Sequence, residues 1–242
     1  MHTMVYMDYA AALLPKIAPH IASIANTYVW PEKKSSKREA TEPANPRLSY
    51  DRRLALVAEI CTSWKHASDD EERVVLAQRV IRDWGGISNN KEARVKQFVA
   101  AAHAQKLNIF TNIASYSKLL SFIDPTRYAI YDSRVAMMLN LVALETKPPL
   151  CYYFPVPPAR SGTEIATLSV LFTDRMAKQL GWQLIKPSDA YPTYLALINA
   201  IAEAQAVPLY DVEMALFQLA PIEAEKINSD LADRAMEYFS KV

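Results

Sequence analysis

Lys118 and Asp132 are two residues whose types and spacing could do chemistry together. They stand 14 positions apart. The stretch around them, IASYSKLLSFIDPTRYAIYDSRVAMMLNLV (residues 113–142), reads as two apolar helices joined by a Pro-containing turn. A lysine among apolar neighbours ordinarily buries its stem and lifts its ammonium to water. Held out of water, the same amine can become a nucleophile. Asp132 precedes Ser133-Arg134-Val135 and the apolar stripe Val135, Met138, Leu139, Val142, which is where an N-cap belongs. A carboxylate fixed at a helix N-terminus is also suited to stabilise a nearby positive charge. On spacing alone the plainer reading of each residue is structural. Two helices meeting at a turn would nonetheless bring both groups to one cleft.

The elements that must position this pair read as nearly all α. Residues 7–28 suit a helix with a break near Pro15 and Pro19, and 31–47 a polar loop rich in proline and charge. A helix is expected over 48–66. Ser68 and Glu71 form a capping-box pattern for a helix running to about Trp84 and ending at Gly85-Gly86. The acidic run Asp69–Glu72 falls in its first turn, where the helix dipole favours negative charge, and so reads as structural rather than metal-binding. A helix is expected around 91–105. After the central pair, residues 147–163 carry five prolines, which forbid a helix. One helix is expected over Thr163–Leu180, and further helices over about 189–205, 208–219 and 222–240. Tyr128–Tyr131 is a short strand-like piece. Two parts follow from this: an N-terminal helical segment with its polar loop over 1–47, and a helical domain over 48–242.

Composition narrows the function classes. The chain has 242 residues, 51% hydrophobic and 22% charged, enough to bury a proper core. Only 4 glycines argue against a turn-rich sandwich or barrel. Lys+Arg number 27 against 26 Asp+Glu, without the basic excess usual in duplex-binding proteins. The basic cluster Lys33, Lys34, Lys37, Arg38 reads as a solvated loop. Cys61 and Cys151 match no metal spacing and give no disulfide framework, so a reducing cytoplasm is the expected location. The N-terminus lacks a basic region and is interrupted by Asp8, Pro15 and Pro19, so neither a signal peptide nor a membrane span is expected. The four histidines show no ligand spacing, and Walker, dinucleotide and metalloprotease motifs are absent.

The central segment carries a family resemblance. Ser117-Lys118-Leu119-Leu120 followed by Ile130-Tyr131-Asp132-Ser133-Arg134-Val135 resembles the core of the helix-hairpin-helix DNA glycosylase superfamily, in its bacterial 8-oxoguanine DNA glycosylase-like branch. Similarity extends to Trp84-Gly85-Gly86-Ile87, to the Pro-rich loop through Arg160, and to Val212-Glu213-Met214-Ala215-Leu216-Phe217. The resemblance implies an all-α, two-layer fold with a cleft between helical subdomains. It implies a lysine-dependent N-glycosylase, with or without abasic-site lyase activity, acting on a modified or damaged purine such as 8-oxoguanine. Lys118 would attack C1′ and Asp132 would activate it. Tyr116, Phe122, Tyr152, Tyr153, Phe154 and Arg160 are the candidates for holding a base drawn out of the stack. No metal or organic cofactor is expected. The partners would be DNA or a modified nucleobase. The alternative is a catalytically silent binding module of this fold, in a bacterial defence or nucleic-acid modification system, with a partner protein. The absence of glycine between Ile87 and Ser161 and the even charge balance favour that alternative.

Overall fold

The structure, a computed structural model, describes residues 2–29, 46–159 and 162–239. It is predominantly helical. The first helix, α1 (His2–Thr27), runs without interruption through Pro15 and Pro19. Tyr9, Leu13, Ile17, Ile21 and Ile24 recur at helical spacing and are all buried. A proline inside a helix costs about 3 kcal/mol. Each buried aliphatic side chain returns about 1.5–3 kcal/mol, and the buried stripe spans both prolines, so burial wins over the expected break.

Next come α2 (Pro46–His66), α3 (Asp70–Gln78) and a π-helical turn, Arg79–Trp84. The cap of α3 lies one residue later than the sequence pattern suggests. Asp69 accepts the Glu72 N–H at 2.9 Å, and Glu72 Oε2 accepts the Ser68 N–H at 2.8 Å. Gly85 then ends the turn, and Gly86 leaves it at φ 72°, a left-handed conformation that suits glycine.

The chain continues through α4 (Glu92–His103), α5 (Ile113–Ile123) and α6 (Ser133–Thr146). Two-residue strands β1 (Tyr152–Tyr153) and β2 (Gln183–Leu184) pair in parallel; Tyr128–Tyr131 is not a strand. The single helix expected over 163–180 is instead two short ones, α7 (Glu164–Ser169) and α8 (Asp174–Gln179). Each has its own threonine cap: Thr163 accepts the Ala166 N–H and Thr173 the Met176 N–H. After α9 (Pro187–Gln205), the two helices expected at the C-terminus are one, α10 (Leu209–Phe239), with Pro221 inside. Again a buried stripe, Val212, Leu216, Leu219, Ala220 and Ala224, carries the helix past its proline.

The helices form two packed sets. In one, α10 lies against α6, α7 and α9, and α1 against α9 and α10. In the other, α2 packs on α5, α3 on α4, and the π-helical turn on α5. α1 against α2 joins the sets, and the covalent link α5–α6 crosses from one to the other.

The end of α9 offers a test of backbone strain. Ala206 closes that helix at φ 52°, in the left-handed region. A non-glycine residue there carries about 1–2 kcal/mol of strain. Ala206→Gly is therefore expected to raise unfolding free energy by about 0.5–1 kcal/mol, after the added chain entropy of glycine is set against the relieved strain. Urea denaturation of the two proteins measures it.

Candidate active site at the junction of two helical sets

Helix α5 is buried along nearly its whole length, and Lys118 sits in its middle with 4% of its side chain exposed. Its amine lies 3.4 Å from Asp132 Oδ2 and 3.3 Å from the Ala114 carbonyl oxygen. Asp132 is the N-cap of α6. Its Oδ1 accepts the Arg134 N–H at 3.0 Å and the Val135 N–H at 3.2 Å. One carboxylate oxygen thus holds the helix and the other faces the amine.

Ser117 sets the distance between them. Its hydroxyl accepts the Tyr131 N–H at 2.9 Å and donates to the Tyr131 carbonyl at 3.2 Å, so the segment leading into α6 is tied to α5 one residue before the lysine. The far side of that segment is held by the Tyr191 hydroxyl, donating to the Ala129 carbonyl at 2.9 Å, and by the Tyr131 hydroxyl, donating to the Pro155 carbonyl at 2.7 Å.

A second ion pair also bridges the two sets. Arg53 of α2 donates to Glu213 of α10, with side chains 3% and 1% exposed. Arg53 also donates to the Tyr28 hydroxyl at 3.1 Å, and its guanidinium lies 5.5 Å from the ring centres of both Tyr28 and Trp84. Trp84 in turn lies 4.7 Å from Phe122, one turn beyond Lys118 on α5. Phe217, one turn beyond Glu213 on α10, has the Arg134 guanidinium 4.4 Å from its ring centre. Side-chain contacts and helix turns therefore link Lys118, Asp132, Arg134, Phe217, Glu213, Arg53, Trp84 and Phe122 in one closed circuit.

Burial pushes the Glu213 carboxyl above its usual range. The Arg53 guanidinium pulls it back, Asp132 adds to the rise and Lys118 opposes it. Burial likewise pushes the Tyr28 phenol up to about 12. Glu213 Oε1, Arg53 Nε and the Tyr194 hydroxyl are buried and meet no hydrogen-bonding protein atom.

The aromatic candidates lie elsewhere, apart from Phe122. Tyr116 packs on Phe98 and donates to the Lys106 carbonyl; Tyr153 donates to the Phe172 carbonyl. The Phe154 backbone is bonded in both directions by Asn140, and Tyr152 meets Tyr9 edge-on. These are contacts of the core around α4 and β1. Arg160 and the basic cluster Lys33, Lys34, Lys37, Arg38 lie outside the described residues. Arg53 and Glu213 carry no spacing signal, because they are far apart in the chain and each sits in an ordinary helical pattern. A cleft of about 320 Å³ lies beside the π-helical turn, between Ile81, Ile87, Asn90 and Val95, and is not lined by Lys118 or Asp132.

Among the described residues, no cluster of three or more His, Cys, Asp and Glu side chains could hold a metal ion, and no helix is long and apolar enough to cross a membrane. No family model, curated protein or solved structure matches the chain.

Proposed function

We propose that the chain is a lysine-dependent DNA N-glycosylase acting on a modified or damaged purine, with Lys118 as nucleophile and Asp132 as its partner. The observation that carries this reading is the placement of the buried Lys118 amine 3.4 Å from the free oxygen of a fixed carboxylate. A lysine must lose a proton before it can attack, and Asp132 Oδ2 is within reach to take it. The amine lone pair then forms a bond to C1′ while the C1′–N bond breaks. The base leaves with that electron pair and gains the proton that Asp132 took, which returns Asp132 to a carboxylate. Positive charge builds on the sugar as this happens, and the Asp132 carboxylate stabilises it. Ring opening then passes one proton from the Lys118 nitrogen to O4′ as the C1′–O4′ bond breaks, leaving a protonated imine between C1′ and Lys118. Loss of a C2′ proton can then expel the 3′-phosphate.

The assay is release of free base from duplex and single-stranded oligonucleotides containing 8-oxoguanine. Release by the wild-type protein is expected, and Lys118→Ala should lower it by about a hundredfold or more, the scale of losing a principal catalytic group. Equal release by both proteins would exclude Lys118 as nucleophile.

One observation favours a second reading. The Lys118 amine is almost closed from solvent, and its contacts with Asp132 and Ala114 need no substrate. A buried ion pair of this kind also suits a silent module that binds a base or a partner protein. Oligonucleotide binding without base release would select it.

A further inference from the structure

We infer that Gly85 is a positioning residue for the Lys118 amine, an inference that deepens the glycosylase reading. Gly85 has φ −74° and ψ −10°, a conformation open to any residue, so backbone geometry does not call for glycine. Space does. A Cβ at this position would sit 2.9 Å from Lys118 Cδ, 2.8 Å from the Ile81 carbonyl oxygen and 3.0 Å from the Val80 carbonyl oxygen. The lysine stem thus lies directly on the glycine backbone.

The π-helical turn explains why the glycine arrives there. Its wider coil ends with the Gly85 N–H on the Val80 carbonyl at 2.9 Å, and the Ile87 N–H on the Ile81 carbonyl at 3.1 Å closes the exit. Trp84, just before Gly85, is seated between Arg53 and Phe122. The turn is therefore held on one side by α2 and on the other by α5, and Gly85 bears on Lys118 between those two supports. The stem is confined from one side by Gly85 while Asp132 and Ala114 receive the amine at its end. A methyl group at 85 pushes Cδ away, draws the amine off Asp132 and exposes it.

Gly85→Ala tests this, with Gly181→Ala as control. Gly181 has φ 73° and a Cβ there would meet nothing within 4 Å, so alanine strains the backbone without touching the site. Two readouts are needed. One is acetylation of Lys118 by acetic anhydride, mapped by mass spectrometry. The other is the rate of borohydride trapping on an abasic-site oligonucleotide. Gly85→Ala should acetylate Lys118 several-fold faster and trap about tenfold or more slowly, because small misplacements of a reacting group are costly. Gly181→Ala should match wild type in both, whatever its loss of Tm. Wild-type acetylation in Gly85→Ala, or the same changes in Gly181→Ala, would overturn the inference. If the wild-type protein traps no DNA, the glycosylase reading falls, while the acetylation ratio still decides the role of Gly85.

Discussion

Arg53→Ala is expected to lower unfolding free energy by about 3–5 kcal/mol at neutral pH, and to recover part of that loss in acid. Breaking a buried ion pair leaves a charge without its partner, which accounts for the size of the effect. Arg53 is the group that pulls the Glu213 carboxyl down against burial. Without it, Glu213 is driven to take up a proton. That uptake costs more the further pH stands above the ordinary carboxylate range. The sign follows from the raised value. The folded state keeps a proton that the unfolded state has lost, so the variant loses stability as pH rises from 4.5 to neutrality and regains it as pH falls. Glu213→Gln should be as costly but show no such recovery, because a guanidinium cannot shed its charge. Replacing both at once, Arg53→Met with Glu213→Leu, should cost less than either single change. Urea denaturation at pH 5 and pH 7 measures all four proteins. A loss in Arg53→Ala that is the same at both values would contradict the coupling.

The second large effect is at Asp132. Asparagine keeps an acceptor for the Arg134 and Val135 N–H groups but removes the charge; alanine removes both. Both variants leave the Lys118 amine without its carboxylate. Base release should fall about a hundredfold or more in each, the usual scale for losing a preorganised electrostatic group. Asp132→Ala should be less stable than Asp132→Asn by about 1 kcal/mol, the value of the cap alone. Full base release by Asp132→Asn would make Asp132 a cap and nothing more.

Interactions local in the chain are legible in its sequence, and distant ones are not. The Lys118–Asp132 juxtaposition could be anticipated because one turn separates the two helices and Asp132 precedes a clear apolar stripe. The Arg53–Glu213 pair could not, because 160 positions separate its members and Asp51-Arg52-Arg53 looks like a solvated charge run. Proline misled in α1 and α10, where burial on either side of it outweighs one lost hydrogen bond. The surroundings of the aromatic candidates Tyr116, Tyr153 and Phe154 are not legible in the chain. Ring type alone does not distinguish a base-stacking wall from core packing, and here neighbouring backbone or Asn140 supplies their polar partners.

The proposed glycosylase chemistry requires a covalent bond between the Lys118 amine and a deoxyribose. Incubation with an abasic-site oligonucleotide, followed by borohydride and peptide mapping, tests it directly. Borohydride delivers a hydride to the imine carbon and fixes the bond as a secondary amine. One oligonucleotide adduct on the peptide containing Lys118, absent from Lys118→Ala, is the predicted result. No adduct on single-stranded or duplex substrate, or an adduct that survives in Lys118→Ala, would contradict it.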